Sequence, residues 1–367
     1  MGRNHGPSCH REVEDGRETP WYRHHGHDLP GGRRRCLPFC PCRLACLIPV
    51  AEEAATDSSR QIIAIVGPTA SGKSALGIEV ARRIGGEIIN CDSVQVYQEI
   101  EIATAKVPIA ERRGVPHHLI DFVSPHQTFT AADWARAAIQ TIEKAESRDH
   151  VPLLVGGTGF YLRALRQPFF PSPPTDEELR RRLTTIRNRH GAERLHAILQ
   201  KFDLAEADNL PARDWPRVQR AIEFYLQTGE KISTHRHLRP APPQLAARLR
   251  IFALSPPRDV LYARINERTD SHFAAGLVDE VRRLLEAGVP PHSTALGAHG
   301  YRRVVEHLSG QRTLESAIAQ TKLDVRHYAK RQLTWFRREL GVEWIEGFGD
   351  DPVVQTRIVN LLSGYQP

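Results

Sequence analysis

Residues 67–74 read Gly67-Pro68-Thr69-Ala70-Ser71-Gly72-Lys73-Ser74, a complete G-x4-G-K-[ST] phosphate loop. The apolar run Ile62-Ile63-Ala64-Ile65-Val66 enters it, and a helical pattern, Ala75-Leu76-Gly77-Ile78-Glu79-Val80, leaves it. A run of that kind is the signature of a strand buried on both faces. Strand, loop and helix in this order form one unit of a parallel α/β sheet. The two glycines let backbone N–H groups turn inward around an oxyanion, and the helix adds the positive end of its dipole. Lys73 supplies a full charge, and Ser74 can ligate a Mg²⁺ that bridges phosphate oxygens. The loop demands a phosphate compound without specifying one, since any diphosphate has the required charge and shape.

Further buried strands are expected at Ile88-Ile89, Leu153-Leu154-Val155 and Ile251-Phe252-Ala253-Leu254, with helical patterns over 75–84 and 131–145 between them. From about Pro171 to Leu245 no strand signal appears. Prolines at 168, 171, 173 and 174 and at 240, 242 and 243 bracket charged helices, the pattern of an inserted helical subdomain. The chain then turns helical again after the Ile251 strand, to about Leu340. The expected organisation is an extension over 1–60, a phosphate-binding core over 61–170, a helical insertion over 171–245, the rest of the core with basic helices over 246–347, and a tail over 348–367.

The net charge of +7 permits a polyanionic partner without requiring one. The first sixty residues hold nine basic and eight acidic groups, so the excess lies in the part expected to fold. Those sixty residues show neither helical nor strand period and read as disordered. Their cysteines, Cys36, Cys40, Cys42 and Cys46, depart from the paired C-x2-C spacing of zinc sites, and Glu12, Glu14, Asp15 and Glu18 oppose a mitochondrial targeting role. Beyond residue 50 the single cysteine is Cys91, which excludes a disulfide framework for the main body. No apolar run reaches the ~18–20 residues that span a bilayer. A cytoplasmic monomer is the expectation.

A second constellation follows the Ile88-Ile89 strand. Asp92-Ser93-Val94-Gln95-Val96-Tyr97 stands where ligands and catalytic groups of open α/β sheets gather. A carboxylate there suits a Mg²⁺ ligand or a proton acceptor, and equally an N-cap. Ala103-Thr104-Ala105-Lys106, Pro116-His117-His118-Leu119-Ile120-Asp121 and Gly156-Gly157-Thr158-Gly159-Phe160-Tyr161 come next, the last directly after a buried strand.

In these motifs, and in their order from Ile62 to Ile345, the chain closely resembles the tRNA dimethylallyltransferase family in its short bacterial form. The resemblance implies a P-loop NTPase-like parallel sheet with an inserted all-helical subdomain. It implies transfer of a five-carbon group from dimethylallyl diphosphate to N6 of the adenosine just 3′ of the anticodon, with Mg²⁺ as cofactor. The loop from Gly67 to Ser74 then holds the prenyl diphosphate, with Arg268 as a further diphosphate ligand. Asp92 acts as general base on the adenine amine, Thr158 lies near the transferred group, and Lys73 stabilises the leaving group.

The same resemblance assigns tRNA contacts to Asp92, Ser93, Val94, Gln95, Thr158 and Arg180, and to Arg217-Val218-Gln219-Arg220. It adds Gly300-Tyr301-Arg302 and the segment Lys330-Arg331-Gln332-Leu333-Thr334-Trp335-Phe336-Arg337. Read on their own, Arg217 and Arg220 share the wet face of a helix whose other face carries Val218, Ala221, Ile222 and Tyr225. Arg326, Lys330 and Arg337 recur at helical spacing, with Trp335 as a stacking face for an extruded base. Departures from the family pattern are Ala103 for a glycine, Pro216 for a glutamine, and Gly297-Ala298-His299 before the Gly300-Tyr301 turn. The zinc-finger tail of longer eukaryotic members is not expected, as no cysteine follows Cys91. A small-molecule P-loop kinase, an adenylate-prenylating relative and a non-catalytic RNA-binding protein remain the alternatives.

Overall fold

The computed structural model describes residues 61–362; the readings of residues 1–60, disorder and the cysteine grouping alike, lie outside them. Strand β1 (Ile62–Val66) is buried throughout and runs into the phosphate loop, from which α1 (Lys73–Ile84) departs. Strands β2 (Gly86–Asn90) and β3 (His117–His118) follow. Helix α2 (Ala131–Glu146) starts with a reciprocal cap: Thr130 accepts from the Asp133 amide, and the Asp133 side chain accepts from the Thr130 amide. Strand β4 (Val151–Gly156) and α3 (Gly159–Arg166) complete the first part of the core.

Helices α4 (Glu177–His190), α5 (Ala192–Phe202), α6 (Leu204–Asn209), α7 (Trp215–Thr228) and α8 (Ile232–His235) come next. They close on an apolar centre of their own, built from Leu183, Leu195, Leu199, Val218 and Ile222.

The chain returns to the sheet with β5 (Leu249–Ser255) and continues through α9 (Arg258–Ala274), α10 (Leu277–Glu286), α11 (Tyr301–Leu308), α12 (Leu314–Phe336), β6 (Val342–Glu346) and α13 (Pro352–Leu362). The sheet order is β3-β2-β4-β1-β5-β6, and every pairing is parallel. Helices cover both faces, so the fold is the P-loop NTPase-like α/β architecture that the phosphate loop implied. Val66 pairs with Gly156 on one side and Ala253 on the other, so the loops after β1, β4 and β5 emerge at one edge. One face buries Trp134, Tyr97, Tyr301 and Phe336; the other buries Leu76, Phe252 and Ile358. Each such side chain stabilises the fold by roughly 1.5–3 kcal/mol on burial.

Two elements depart from the sequence reading. Strand β6 pairs only with β5 and is half-exposed, so it lacks the continuous apolar run of a central strand. The segment from 348, read as a tail, is mostly α13, whose Val354, Ile358 and Leu362 finish the apolar layer over α1. Just before α13 the chain packs on the phosphate loop: the Gly349 amide donates to Ser71 O at 2.8 Å, and Arg264 pairs with Asp350 at 2.8 Å. Among the described residues no helix is long and apolar enough to cross a membrane.

Candidate active site

The phosphate loop is wound tightly between its neighbours. Ala70 and Gly72 both take positive φ, 65° and 82°. At Gly72 a Cβ would come within 2.6 Å of the Asp350 amide, so the position needs glycine for space as well as conformation. The Lys73 ammonium folds back over the loop and donates to Pro68 O at 2.7 Å. Enclosure there pushes its pKa down to about 8, against the opposing attraction of Asp92. Arg268, on α9, donates to Thr69 Oγ1 from a half-buried position, and desolvation lowers its proton affinity too. The loop therefore holds two desolvated cations with no buried carboxylate bonded to either. Ser74 Oγ, on the first turn of α1, makes no hydrogen bond among the described residues.

Asp92 leaves the end of β2 in an Asx-turn. Its Oδ1 accepts from the Val94 amide at 2.9 Å, and its own amide donates to Asn90 Oδ1 at 3.0 Å. No helix starts here, so Asp92 is not the N-cap that the sequence also allowed; the turn uses one of its carboxylate oxygens only. Asp92 lies near enough to Lys73 and Arg268 to favour their charged forms. Beside it, Thr158 Oγ1 accepts from the Ser93 amide at 3.0 Å and approaches Ser93 Oγ at 3.3 Å. Cys91 is buried and its thiol pushed up by burial, which removes it as a nucleophile.

Thr69, Asp92, Ser93, Arg268 and Tyr328 open on one cavity of about 260 Å³, whose far wall is apolar: Ala103, Phe273, Leu277, Ala298 and Val325. The loop carrying Ala103 is held by Glu280, a buried carboxylate that accepts from the amides of Glu101 (3.2 Å) and Ile102 (3.3 Å) and from the Tyr301 hydroxyl (2.5 Å). Gln95 donates to the carbonyls of Thr104 (2.9 Å) and Ala105 (3.3 Å), and Lys106 to Tyr97 O (2.7 Å). Lys106 also pairs with Glu101 and Asp121. His272 lines the same cavity; burial and Arg268 push its pKa to about 4, so the ring is neutral at neutral pH.

Several residues expected to face RNA are engaged elsewhere. In the insertion, Arg180 is bidentate to Glu223, both bonds 3.0 Å, and the Gln219 amide donates to Glu223 Oε1 at 3.1 Å. Arg220 turns to Ser172 and Pro173 O and lies 3.5 Å from Glu223. These groups neutralise a carboxylate of zero exposure, and the Val218 side chain sits in the insertion's core. Arg217 alone of that group stays open, 72% exposed at its side chain. Tyr301 is buried, while Arg302 is exposed beside Glu306.

On α12, Lys330, Arg331, Thr334 and Arg337 are exposed, and the three cations form no ion pair with any carboxylate among the described residues. Gln332 points inward instead. Its Oε1 accepts from the Thr69 amide at 2.8 Å, and its Nε2 donates to Gly157 O at 2.9 Å. Trp335 is not an open stacking face: Arg163 covers its ring at 4.1 Å, and it packs so closely on Gly159 that a Cβ there would overlap it. Glu280, His272 and Tyr328 were missed by sequence reasoning. Each sits singly on a helix, and only the fold brings it to the cavity.

The IPP transferase family model matches residues 95–339. A tRNA dimethylallyltransferase of Solibacter usitatus is 43% identical over 83% of this chain and 98% of the relative. One of Geobacter metallireducens is 44% identical over 79% of this chain and 94% of the relative. Among solved structures, the full-length tRNA isopentenylpyrophosphate transferase of Bacillus halodurans aligns with a TM-score of 0.61 at 37% identity, covering 83% of this chain and 96% of its own. A eukaryotic dimethylallyltransferase described as acting on tRNA aligns with a TM-score of 0.68 at 27% identity, over 84% and 81%. By the family match and by these near-complete alignments, the chain belongs to the IPP transferase family.

Proposed function

We infer that the protein transfers the dimethylallyl group of dimethylallyl diphosphate to N6 of the adenosine 3′-adjacent to the anticodon of tRNA, releasing diphosphate. The observation that carries this reading is the meeting of three chemistries on one cavity. Thr69 and Arg268 of the phosphate cradle, a carboxylate with a spare oxygen and an apolar wall all line it. The family to which the chain belongs supports the same substrates.

An exocyclic adenine amine is a weak nucleophile, and its target carbon must carry a good leaving group. The base has to leave its stack to enter the cavity. Asp92 then accepts a hydrogen bond from the amine through the oxygen not used by Val94, and takes the proton as the C–N bond forms. As the allylic C–O bond breaks, negative charge gathers on the diphosphate. Lys73, Arg268 and the loop amides stand where that charge grows, and one such donor is typically worth ~3–4 kcal/mol. Thr158, fixed by Ser93, bounds the space between donor and base.

Mg²⁺ fits this donor set. Ser74 Oγ has no protein partner to give up and would hold the ion, which would neutralise diphosphate charge. Lys330, Arg331 and Arg337, which form no ion pair among the described residues, and Arg217, exposed although 3.3 Å from Asp214, are the cations read as meeting the RNA backbone.

Incubation with dimethylallyl diphosphate, Mg²⁺ and either unmodified tRNA or AMP, read by mass, tests the proposal. Prenylated adenosine in tRNA is expected. Product from AMP alone, or ATP consumption without tRNA, would replace it with an adenylate-prenylating or kinase activity.

A further inference from the structure

Phe160 and Phe169 are 48% and 37% exposed, and their rings touch, with centroids 5.4 Å apart and planes 41° apart. Singly exposed apolar side chains are ordinary, but a contacting pair is a feature in need of a partner. This pair begins two residues after Thr158, on the same sheet edge as the cavity. Phe160 also meets the edge of Trp335 at 6.2 Å, and Trp335 belongs to the helix that presents Lys330, Thr334 and Arg337 to solvent.

The pair is rigidly mounted. Phe170 turns inward and packs edge-on against the buried Phe224 at 5.8 Å, while Arg220 ties down the following segment through Pro173 O at 2.8 Å. Rings held this way lose little further freedom when a flat partner lands on them. Two exposed aromatic faces beside an unpaired basic stripe suit single-stranded nucleic acid, whose bases stack while its phosphates meet the cations.

We propose that Phe160 and Phe169 form a stacking platform for the anticodon-loop bases that flank the reacting adenosine. The inference rests on the tRNA reading above. Extruding one base leaves the faces of its neighbours bare, and the aromatic pair, just outside the cavity, replaces the lost stacking. Phe160 lies in a motif read for its glycines and Thr158, and Phe169 in none, because an isolated Phe in sequence looks like core.

The test uses the full chain and an unmodified anticodon stem-loop RNA, with affinity measured over a series of salt concentrations. Phe160→Ala should weaken binding about five- to hundred-fold, with the salt slope of the parent protein kept. Phe160→Tyr should retain affinity, since it keeps the ring. A photoreactive base next to the target adenosine should crosslink to the peptide carrying Phe160 or Phe169 in the unmutated protein. Parent-like binding by Phe160→Ala, an equal loss in Phe160→Tyr, or a crosslink that maps elsewhere would each overturn the platform. Because these readouts are binding and proximity, they are judged apart from product formation; a parent protein that binds but yields no prenylated adenosine would defeat the proposed reaction instead.

Discussion

Gln332 accepts a hydrogen bond from the Thr69 amide at 2.8 Å, and its Nε2 donates to Gly157 O at 2.9 Å. One buried amide on α12 thus joins the phosphate loop to the Gly156-Gly157-Thr158 turn. Its neighbours Lys330, Arg331 and Thr334 face solvent, so a single helix carries both the open cationic stripe and the brace beneath the donor site.

Gln332→Leu should leave the Thr69 N–H and Gly157 O without partners, at a cost of about 1–3 kcal/mol each if neither rearranges. The expected outcome is a higher KM for dimethylallyl diphosphate and a kcat/KM lower by roughly ten- to a hundred-fold, with RNA affinity kept. Gln332→Glu restores only the acceptor, and sets a negative charge beside the diphosphate, so it should not rescue. Steady-state kinetics at varied donor, with filter binding of tRNA, checks both variants.

Asp92→Asn keeps an oxygen for the Val94 amide and so preserves the turn, while removing the proton acceptor. Single-turnover prenylation should slow by about 10²–10⁴-fold, the usual contribution of a positioned base. tRNA affinity and melting temperature should stay near those of the parent. A near-normal rate would take the base assignment away from Asp92.

The core strands and the phosphate loop were legible because β1, β4 and the centre of β5 are buried on both faces and leave apolar runs, with Ile88-Ile89 marking β2. β6, Val342-Glu343-Trp344-Ile345-Glu346, is a short apolar stretch interrupted by glutamates, and β3 is two residues long; neither pattern rises above a loop. The site divides the same way. Lys73, Ser74, Asp92 and Thr158 sit in local motifs whose geometry follows from the turn they occupy. Arg180 and Arg220 carry the right charge for RNA, but both turn to Glu223, whose carboxylate is fully buried. Glu223 stands at i,i+3 from Arg220 on α7, yet its burial, and its pairing with Arg180 on α4, follow only from how the helices pack. Gln332 failed for the converse reason: it directly follows the basic pair Lys330-Arg331, and only the path of α12 across the loop turns it inward.

Arg180→Ala should therefore act on stability before it acts on RNA. It strips a bidentate partner from Glu223, whose exposure is zero. Breaking a fully buried pair costs ~3–5 kcal/mol; with Arg180 41% exposed at its side chain, about 2 kcal/mol is the expectation. Paired Arg180→Ala with Glu223→Gln should recover part of that loss in urea unfolding. Lys330→Ala should do the opposite, leaving unfolding unchanged and making the salt dependence of tRNA binding shallower by roughly one phosphate contact.

The Lys73 ammonium, with a pKa of about 8 in the free protein, gives donor binding a pH dependence of definite sign. Diphosphate binds the charged lysine and so raises its pKa. Below pH 8 the amine is protonated both before and after binding, and the dissociation constant should be flat. Above pH 8 the free protein has lost that proton and must regain it on binding, so the dissociation constant should rise, by up to about tenfold per pH unit, until the pKa of the complex is reached. Calorimetry in two buffers of different ionisation enthalpy should detect proton uptake at pH 9 and none from this group at pH 6.5. Lys73→Arg, which keeps its charge throughout, should remove the rise even if it binds donor more weakly overall. A rise that survives in Lys73→Arg would move the titrating group away from the phosphate loop.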